Sequence, residues 1–136
     1  MIDEYVNKHS DYSIAYVSMG NLRYLSAMQF MTAVVGNSSS GIIETPSFKI
    51  PTINIGNRQK GRIQAKNIIN INCVKAELEQ AFEDVKDKAY VKGLDFIINP
   101  YRNGNTTEQI IEILKNIDLD VLQTKSFYTI KYEGIN

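Results

Sequence analysis

Three consecutive serines, Ser38–Ser40, lie between Gly36 and Gly41 in this chain of 136 residues. Serine hydroxyls donate hydrogen bonds to anionic oxygens, and glycine lets the backbone come close to a ligand. A helix that began here would add unpaired N–H groups and the positive end of its dipole, both of which attract phosphate. The segment therefore has the composition of a phosphate-binding loop. Serine and asparagine are also preferred helix N-caps, so a purely structural role explains the segment equally well.

Charged residues downstream of the serines could complete a nucleotide site. Glu44 lies six residues after Ser38, where its carboxylate could accept two hydrogen bonds from a ribose diol. Arg58 and Arg62 follow the next apolar run, and a guanidinium binds phosphate oxygens through two parallel hydrogen bonds. Each of these residues alone is more simply explained as a solvated surface group. Together with the serines, they favour a site for a nucleoside diphosphate.

The strands that precede these segments decide whether the segments can meet. Short apolar runs rich in β-branched residues predict strands covered on both faces, which is typical of a parallel sheet. In such a sheet, ligands bind beyond the carboxyl ends of the strands. The serines follow the second run and the arginines follow the third, so we expect both at the same edge. The predicted strands are Ser13–Val17, Ala33–Gly36, Thr52–Ile55 and Asn67–Ile71.

Helical periods alternate with these runs. Apolar residues recur at helical spacing within Leu22–Met28, Val74–Val85 and Ile110–Ile117. Asn105, three residues before Glu108, predicts a capping box at the start of the last helix. The alternation of strands and helices predicts an α/β fold, with a Rossmann-like parallel sheet flanked by helices.

The overall composition excludes several classes of function. Fifteen basic and fifteen acidic residues cancel, so no net field draws the chain to nucleic acid or to an anionic membrane. No apolar run reaches the roughly 18 residues that a membrane-spanning helix needs. Cys73, the one cysteine, cannot form an internal disulfide, and the first residues have no secretory-signal pattern. We therefore expect a cytoplasmic protein that binds a small molecule and needs neither a metal nor a cofactor.

The residues described so far belong to a longer pattern. The segment GNSSSGIIETPSFKIPTINIGNRQKGR, residues 36–62, resembles the signature of the UDP-N-acetylglucosamine 2-epimerase family. Its NSSSG and NRQKGR portions resemble the hydrolysing branch, which releases N-acetylmannosamine and UDP for sialic acid and related capsular sugars. The resemblance extends to LRYLSAMQFM at 22–31, NPYRNGNTTEQI at 99–110 and KSFY at 125–128.

The resemblance implies a fold and a set of binding roles. The family has the glycosyltransferase-B (GT-B) architecture, in which two Rossmann-like halves enclose the active site and the C-terminal half binds UDP. By that likeness, Ser38 and Ser39 hold the diphosphate and Glu44 holds the ribose hydroxyls. Arg58 would lie close to the nucleotide, and Gly41 would permit a close approach of the backbone. The ligand implied is UDP or UDP-N-acetylglucosamine.

The resemblance also implies which groups this chain does not supply. The family's catalytic carboxylates lie in the N-terminal half, and a catalytic histidine lies where the halves join. His9, the only histidine here, matches no motif of the family. We therefore interpret residues 1–136 as a single, partial Rossmann-like domain from the C-terminal half, with no catalytic residue, and expect it to be inactive by itself. An uncovered sheet edge predicts a homo-oligomer, or pairing with the missing half.

Two other interpretations stay open. The chain could be a non-catalytic nucleotide-sugar-binding module, or a fragment of a glycosyltransferase with the same GT-B architecture. The NRQKGR segment favours the epimerase over the glycosyltransferase, because it resembles an epimerase feature.

Overall fold

The computed structural model of the protein describes residues 1–102 and 104–118. Its internal contacts form two compact units, one spanning Met1–Arg102 and the other starting at residue 103. The KSFY segment at 125–128 lies outside the described residues. All the predicted site residues belong to the first unit.

In the part of the chain that the structure describes, three short strands form a parallel sheet. In the register of this sheet, Thr52 of the central strand lies opposite Val34 on one side and Ile68 on the other. The carboxyl ends of all three strands therefore meet at one edge, and the predicted α/β, Rossmann-like fold class is confirmed. The strands are β1 (Val34–Gly36), β2 (Thr52–Ile55) and β3 (Ile68–Ile71), in the order β1-β2-β3.

Helices alternate with these strands along the chain. The three helices predicted from apolar periodicity are present, with bounds that differ from the prediction by a few residues. None of the described helices is both long and apolar enough to cross a membrane. The helices are α1 (Ile2–Lys8), α2 (Gly20–Met28), α3 (Ser40–Ile43), α4 (Thr45–Phe48), α5 (Lys75–Asp84), α6 (Lys88–Gly93) and α7 (Thr106–Asn116), with a 3₁₀ turn at Leu94–Phe96.

The predicted strand at Ser13–Val17 is wrong, because the segment is irregular and largely exposed. The backbone N–H groups of Tyr12 and Ser13 both donate to the carbonyl oxygen of His9, at 3.2 and 2.9 Å, which closes a turn where the strand would begin. Among residues 1–102 and 104–118, no strand lies beside this segment to pair with it. An apolar run becomes a stable strand only when a neighbouring strand satisfies its backbone groups.

The predicted capping box at α7 is also wrong, although the helix begins where it was expected. Asn105 is the N-cap residue, but its backbone is left-handed, at φ 50° and ψ 22°, and its side chain makes no capping hydrogen bond. A capping side chain normally reaches the first-turn N–H groups from an extended backbone. Asparagine tolerates the left-handed region unusually well, which explains its position here without a capping box.

The apolar core lies on one face of the sheet. Ile53 of β2 is fully buried and packs with Ala81 and Val85 from α5 and the residue after it. Leu78 of α5 and Ile69 of β3 extend this cluster. Because side chains alternate along a strand, the neighbours of Ile53 point to the opposite face of the sheet.

The opposite face of β2 is polar. Thr52 and Thr45, both buried, share a hydrogen bond of 2.7 Å between their hydroxyls. The amide nitrogen of Asn67, also buried, donates to the Thr45 hydroxyl at 3.1 Å and to the carbonyl oxygen of Ile50 at 2.8 Å. Since buried polar groups need partners, these bonds attach the start of α4 firmly to the sheet.

Candidate functional site

The loop after β1 carries the predicted phosphate-binding serines. Ser39 is the N-cap residue of α3, and the Ser38 hydroxyl accepts a hydrogen bond from the backbone N–H of Ser40 at 3.3 Å. The Ser40 hydroxyl lies 2.7 Å from the Tyr24 hydroxyl, which connects the loop to α2. Ser38 is exposed and Ser39 is half-buried. The two hydroxyls predicted to bind phosphate are therefore less constrained than the Ser40 hydroxyl, which contacts Tyr24.

Gly41 lets α3 lie directly on the sheet. A Cβ atom at this position would stand 2.7 Å from Cγ2 of Thr52, closer than van der Waals contact allows. The close backbone approach at Gly41 is therefore to β2. A contact between Gly41 and a ligand stays a prediction.

The loop after β2 is rich in exposed cations. Gly56 turns the chain at the end of the strand with a φ of 78°, a conformation that side chains other than glycine rarely adopt. Arg58, Lys60 and Arg62 are exposed, and none of them forms an ion pair with a described residue. We call residues 57–62 the cation loop. Its unpaired positive charges are available to an anion.

One glutamine brings the two loops together. Gln59, only 3% exposed, donates a hydrogen bond from its amide nitrogen to the carbonyl oxygen of Asn37 at 2.7 Å. We call residues 37–40, which follow β1 and contain the three serines, the serine loop. The bond from Gln59 to Asn37 therefore joins the serine loop to the cation loop. Sequence reasoning did not select Gln59, because an uncharged amide in a polar loop carries no signal of periodicity or charge. Its position next to Arg58 in the NRQKGR segment was the only available clue.

Glu44 lies at the junction of α3 and α4 and is half-buried. One of its carboxylate oxygens, Oε2, is buried and has no hydrogen-bond partner among the described residues. A buried carboxylate oxygen without a partner is unfavourable. Asn99, the first residue of the NPYRNGNTTEQI segment, supports this junction by donating to the Ile43 carbonyl oxygen at 2.8 Å and to the Ser47 hydroxyl at 2.7 Å.

Within the loop after β1, the backbone N–H of Gly41 donates to the carbonyl oxygen of Ser38 at 3.2 Å, but the predicted residues are not all joined to one another. Within residues 1–102 and 104–118, no hydrogen bond or ion pair joins any two of Ser39, Glu44 and Arg58 to each other. A depression of about 470 Å³ opens at the carboxyl ends of β2 and β3, and it is lined by Lys60 and Arg62 but not by the five predicted residues. The structure therefore brings their loops together through Gln59, and not through the predicted side chains themselves.

The chemistry of this edge is that of anion binding. Hydroxyls, unpaired guanidinium groups and backbone N–H groups hold phosphate well, and a half-buried carboxylate accepts hydrogen bonds from hydroxyls. Within the described residues, no three His, Cys, Asp or Glu side chains cluster so as to hold a metal ion.

Comparison with known proteins identifies the family of this chain. The sequence model of the family described as UDP-N-acetylglucosamine 2-epimerase matches residues 1–115. A Campylobacter jejuni protein named GDP/UDP-N,N'-diacetylbacillosamine 2-epimerase (hydrolyzing) is 43% identical over 128 residues, which cover 93% of this chain and 33% of that protein.

Two further relatives show similar coverage. The Escherichia coli polysialic acid biosynthesis protein P7 is 33% identical over 122 residues, 88% of this chain and 31% of that protein. A Neisseria meningitidis protein named UDP-N-acetylglucosamine 2-epimerase is 29% identical over 119 residues, 85% of this chain and 30% of that protein. The chain thus spans about a third of the length of these curated relatives. By its match to the family model over most of its length, the chain belongs to the UDP-N-acetylglucosamine 2-epimerase family.

Proposed function

We propose that this chain is the UDP-binding portion of a hydrolysing UDP-N-acetylglucosamine 2-epimerase. The reaction of the whole enzyme would convert UDP-N-acetylglucosamine and water to N-acetylmannosamine and UDP, supplying sialic acid or related capsular sugars. Two observations on relatives support this: the Campylobacter jejuni relative is named as a hydrolysing 2-epimerase, and the Escherichia coli relative is named for polysialic acid biosynthesis.

In this proposal, each predicted site residue has a separate role. Ser38 and Ser39 donate hydrogen bonds to the diphosphate, and Arg58 neutralises its charge. Glu44 accepts hydrogen bonds from the ribose hydroxyls through its carboxylate. Gly41 holds α3 against β2 and so fixes the loop that presents the serines.

The observation that carries the proposal is the hydrogen bond from Gln59 to the carbonyl oxygen of Asn37. A diphosphate is short, so hydroxyls on one loop and a guanidinium on another can bind it only if the loops are held close. This bond holds them close without using any of the groups that would contact the phosphates. Hydrogen bonds to charged groups contribute about 1.5–3 kcal/mol each, so two or three suffice for measurable binding.

Binding does not imply turnover by this chain alone. Loss of UDP together with the proton at C2 of the sugar needs a positioned base and a positioned acid, each contributing about 10²–10⁴-fold to the rate. The residues described at this site have the chemistry of binding groups, and the family resemblance places the catalytic groups in the other half. We therefore expect the 136-residue chain to release no N-acetylmannosamine from UDP-N-acetylglucosamine.

Isothermal titration calorimetry with UDP, supported by ligand-observed NMR, tests the binding role. Ser39→Ala and Arg58→Ala should each weaken UDP binding about tenfold, which corresponds to the loss of one charge-assisted hydrogen bond. Arg23→Ala, which removes an exposed arginine of α2, is the matched control and should leave the affinity unchanged. Failure of the unmodified chain to bind UDP, or equal affinity in all variants, would contradict the proposal.

A further inference from the structure

A second depression, of about 530 Å³, lies at the edge of the sheet opposite to the proposed UDP site. Two of the residues that line it, Thr32 and Lys49, lie just before β1 and β2. The amino ends of parallel strands meet at one edge, so the strands separate this depression from the serine and cation loops. We call it the lysine pocket, because four lysines line it: Lys49, Lys86, Lys88 and Lys92.

The lining of the lysine pocket carries an excess of positive charge. Asp95 is the one acidic residue among those that line it, against four lysines. Lys86 forms an ion pair with Glu83 at 2.9 Å, but the other three lysines form no ion pair with a described residue. A concave surface with charges of one sign attracts ligands of the opposite sign. The pocket therefore has the charge of an anion-binding site.

Two of the unpaired lysines lie on the same face of α6. Lys88 and Lys92 are four residues apart in this helix, and both are exposed. Like charges at this spacing face each other and destabilise a helix. An anion with two or more negative charges, bound between the two ammonium groups, would replace this repulsion by attraction. The spacing therefore favours a multivalent anion over a single carboxylate.

Lys49 supplies a positioned ammonium group from a different element. It ends α4 with a left-handed backbone, at φ 58° and ψ 31°, where glycine is the usual residue. Its Nζ donates to the backbone carbonyl oxygen of Asp95 at 2.6 Å, a contact between residues 46 positions apart in the chain. An ammonium group has three N–H donors, so this bond leaves two for a ligand. Because the group is already held in place, less conformational freedom is lost when an anion binds to it.

The size and surface of the pocket indicate a small organic phosphate. Sites for small molecules commonly have volumes of about 300–1,000 Å³, and this pocket lies within that range. Lysine binds phosphate as a compact point charge. Val91, which is 43% exposed, adds an apolar wall for the organic part of the ligand, and Thr32 adds a hydroxyl.

We propose that the lysine pocket binds a small phosphorylated molecule with at least two negative charges. The phosphate lies among Lys49, Lys88 and Lys92, at a site distinct from that of UDP. The inference does not depend on the proposed function, because the pocket shares no residue with the proposed UDP contacts. The phosphate could belong to free inorganic diphosphate or to a phosphate ester, and titration with each distinguishes the two sources.

Residue-resolved NMR tests the pocket, with inorganic diphosphate and glucose 6-phosphate as separate probes. Each should shift the backbone amide signals of Lys88, Val91 and Lys92 in a saturable way. The double substitution Lys88→Gln/Lys92→Gln should weaken this binding tenfold or more, since two charge-assisted contacts are lost. The matched control, Lys8→Gln/Lys115→Gln, removes the same charge from exposed positions outside the pocket and should leave the affinity unchanged. Both substitutions in each variant are at exposed positions, so the fold should be retained.

The same spectra separate the lysine pocket from the proposed UDP site. Arg58→Ala should leave the shifts at Lys88 and Lys92 unchanged and should reduce any that diphosphate causes at Ser38 and Ser39. Shifts in the pocket without any binding of UDP would support this inference and contradict the proposed function.

Three results would overturn the inference. The first is the absence of saturable shifts in the pocket with either probe, and the second is an equal loss of affinity in the control variant, which would indicate attraction by overall charge alone. The third is a response of these signals to a single-stranded oligonucleotide but to neither small phosphate, which would identify a polymer as the ligand. Tighter binding of glucose 6-phosphate than of diphosphate would support a phosphate ester as the ligand, and the reverse order would support the inorganic anion.

Discussion

At the scale of single residues, uncharged amides organise this site. Gln59 joins the two loops that carry the predicted phosphate ligands, and Asn99 supports the helix junction next to Glu44. Asn54 and Asn70 line the depression at the carboxyl ends of β2 and β3. An amide has a donor and an acceptor but no charge, so it fixes geometry inside the protein without the desolvation cost of an ion.

Gln59→Leu should weaken UDP binding about tenfold, although Gln59 is not proposed to contact the ligand. Leucine preserves most of the side-chain volume but removes the donor to the Asn37 carbonyl oxygen, so the two loops separate. In the absence of ligand, NMR should show shifted backbone amide signals at Ser38 and Ser39. Gln29→Leu, which removes an exposed amide at the end of α2, is the control. Unchanged amide signals together with unchanged affinity would show that the bond does not position the loops.

Glu44→Gln tests the proposed ribose contact. The unmodified chain should bind UDP about tenfold more tightly than 2′,3′-dideoxy-UDP, because the latter lacks the hydroxyls that donate to the carboxylate. In Glu44→Gln this difference should become much smaller, since a neutral amide oxygen is a weaker acceptor. The comparison forms a double-mutant cycle between side chain and ligand. An undiminished preference for UDP in the variant would place the ribose elsewhere.

At the scale of elements, the site depends on the contact between α3 and β2. Gly41 allows this contact, and the hydroxyl pair of Thr45 and Thr52 continues it into α4. Short helices of four residues have little stability of their own, so α3 and α4 are held in place by tertiary packing.

Gly41→Ala should lower the free energy of unfolding by about 1–3 kcal/mol, because the added methyl group overlaps with Cγ2 of Thr52. Gly93→Ala is the control: it also lies in a helix, but nothing stands within 4 Å of an added Cβ, so stability should stay the same or rise. Chemical denaturation measures the free energy of unfolding of Gly41→Ala and of Gly93→Ala. Adding Thr52→Ser, which removes only Cγ2 and keeps the hydroxyl, should restore much of the loss. No recovery in the double variant would show that this overlap is not the cause.

The connection between β3 and α5 predicts a pH dependence. Hydrogen bonds from the backbone N–H and side-chain amide of Asn72 hold the pKa of Glu77 below its ordinary value of 4.5. Because the folded pKa is the lower one, this contribution to stability is complete above pH 4.5 and is lost as pH falls through the folded pKa. Glu77→Gln should therefore lower stability at neutral pH, where the charged carboxylate contributes, and flatten the loss of stability as pH falls through the acidic window. Denaturation curves of the unmodified chain and of Glu77→Gln at several pH values would measure this difference. If stability fell equally steeply with acid in the two proteins, the prediction would be contradicted.

The sequence predicted these elements to different degrees, for physical reasons. The runs Ala33–Gly36, Thr52–Ile55 and Asn67–Ile71 were recognisable because they are short, mostly apolar and rich in β-branched residues, as is typical of strands buried between helices. Ser13–Val17 has similar residues, but strand formation depends on a neighbour that composition does not reveal. Gln59 could not be predicted because its role follows from the distance between two loops, which only the folded chain establishes.

At the scale of the whole molecule, the described residues present exposed apolar side chains and an unpaired strand edge. Within the described residues β1 is an edge strand, and Val35 on it is 43% exposed. Phe30 and Leu22 nearby in sequence are also largely exposed. Unpaired strand edges and apolar patches favour association with another chain.

We therefore expect the purified chain to self-associate in a concentration-dependent way. Light scattering after size exclusion, or sedimentation velocity, would measure this. Val35→Lys should reduce the association, because a lysine on an edge strand disfavours pairing with a second strand. The same substitution at an exposed helix position, Val91→Lys, should have little effect. A chain that stays monomeric at high concentration would contradict the expectation.

The buried hydrogen bonds among Thr45, Thr52 and Asn67 have a consequence for motion at this edge. Apolar side chains can slide past one another with little change in energy, whereas hydrogen bonds between hydroxyls and amides are directional and break together when an element shifts. A displacement of α4 along the sheet by even one residue would leave several interior polar atoms without partners. We therefore expect any conformational change on ligand binding to occur in the cation loop. The junction of α3 and α4, which carries Glu44, should stay fixed on the sheet.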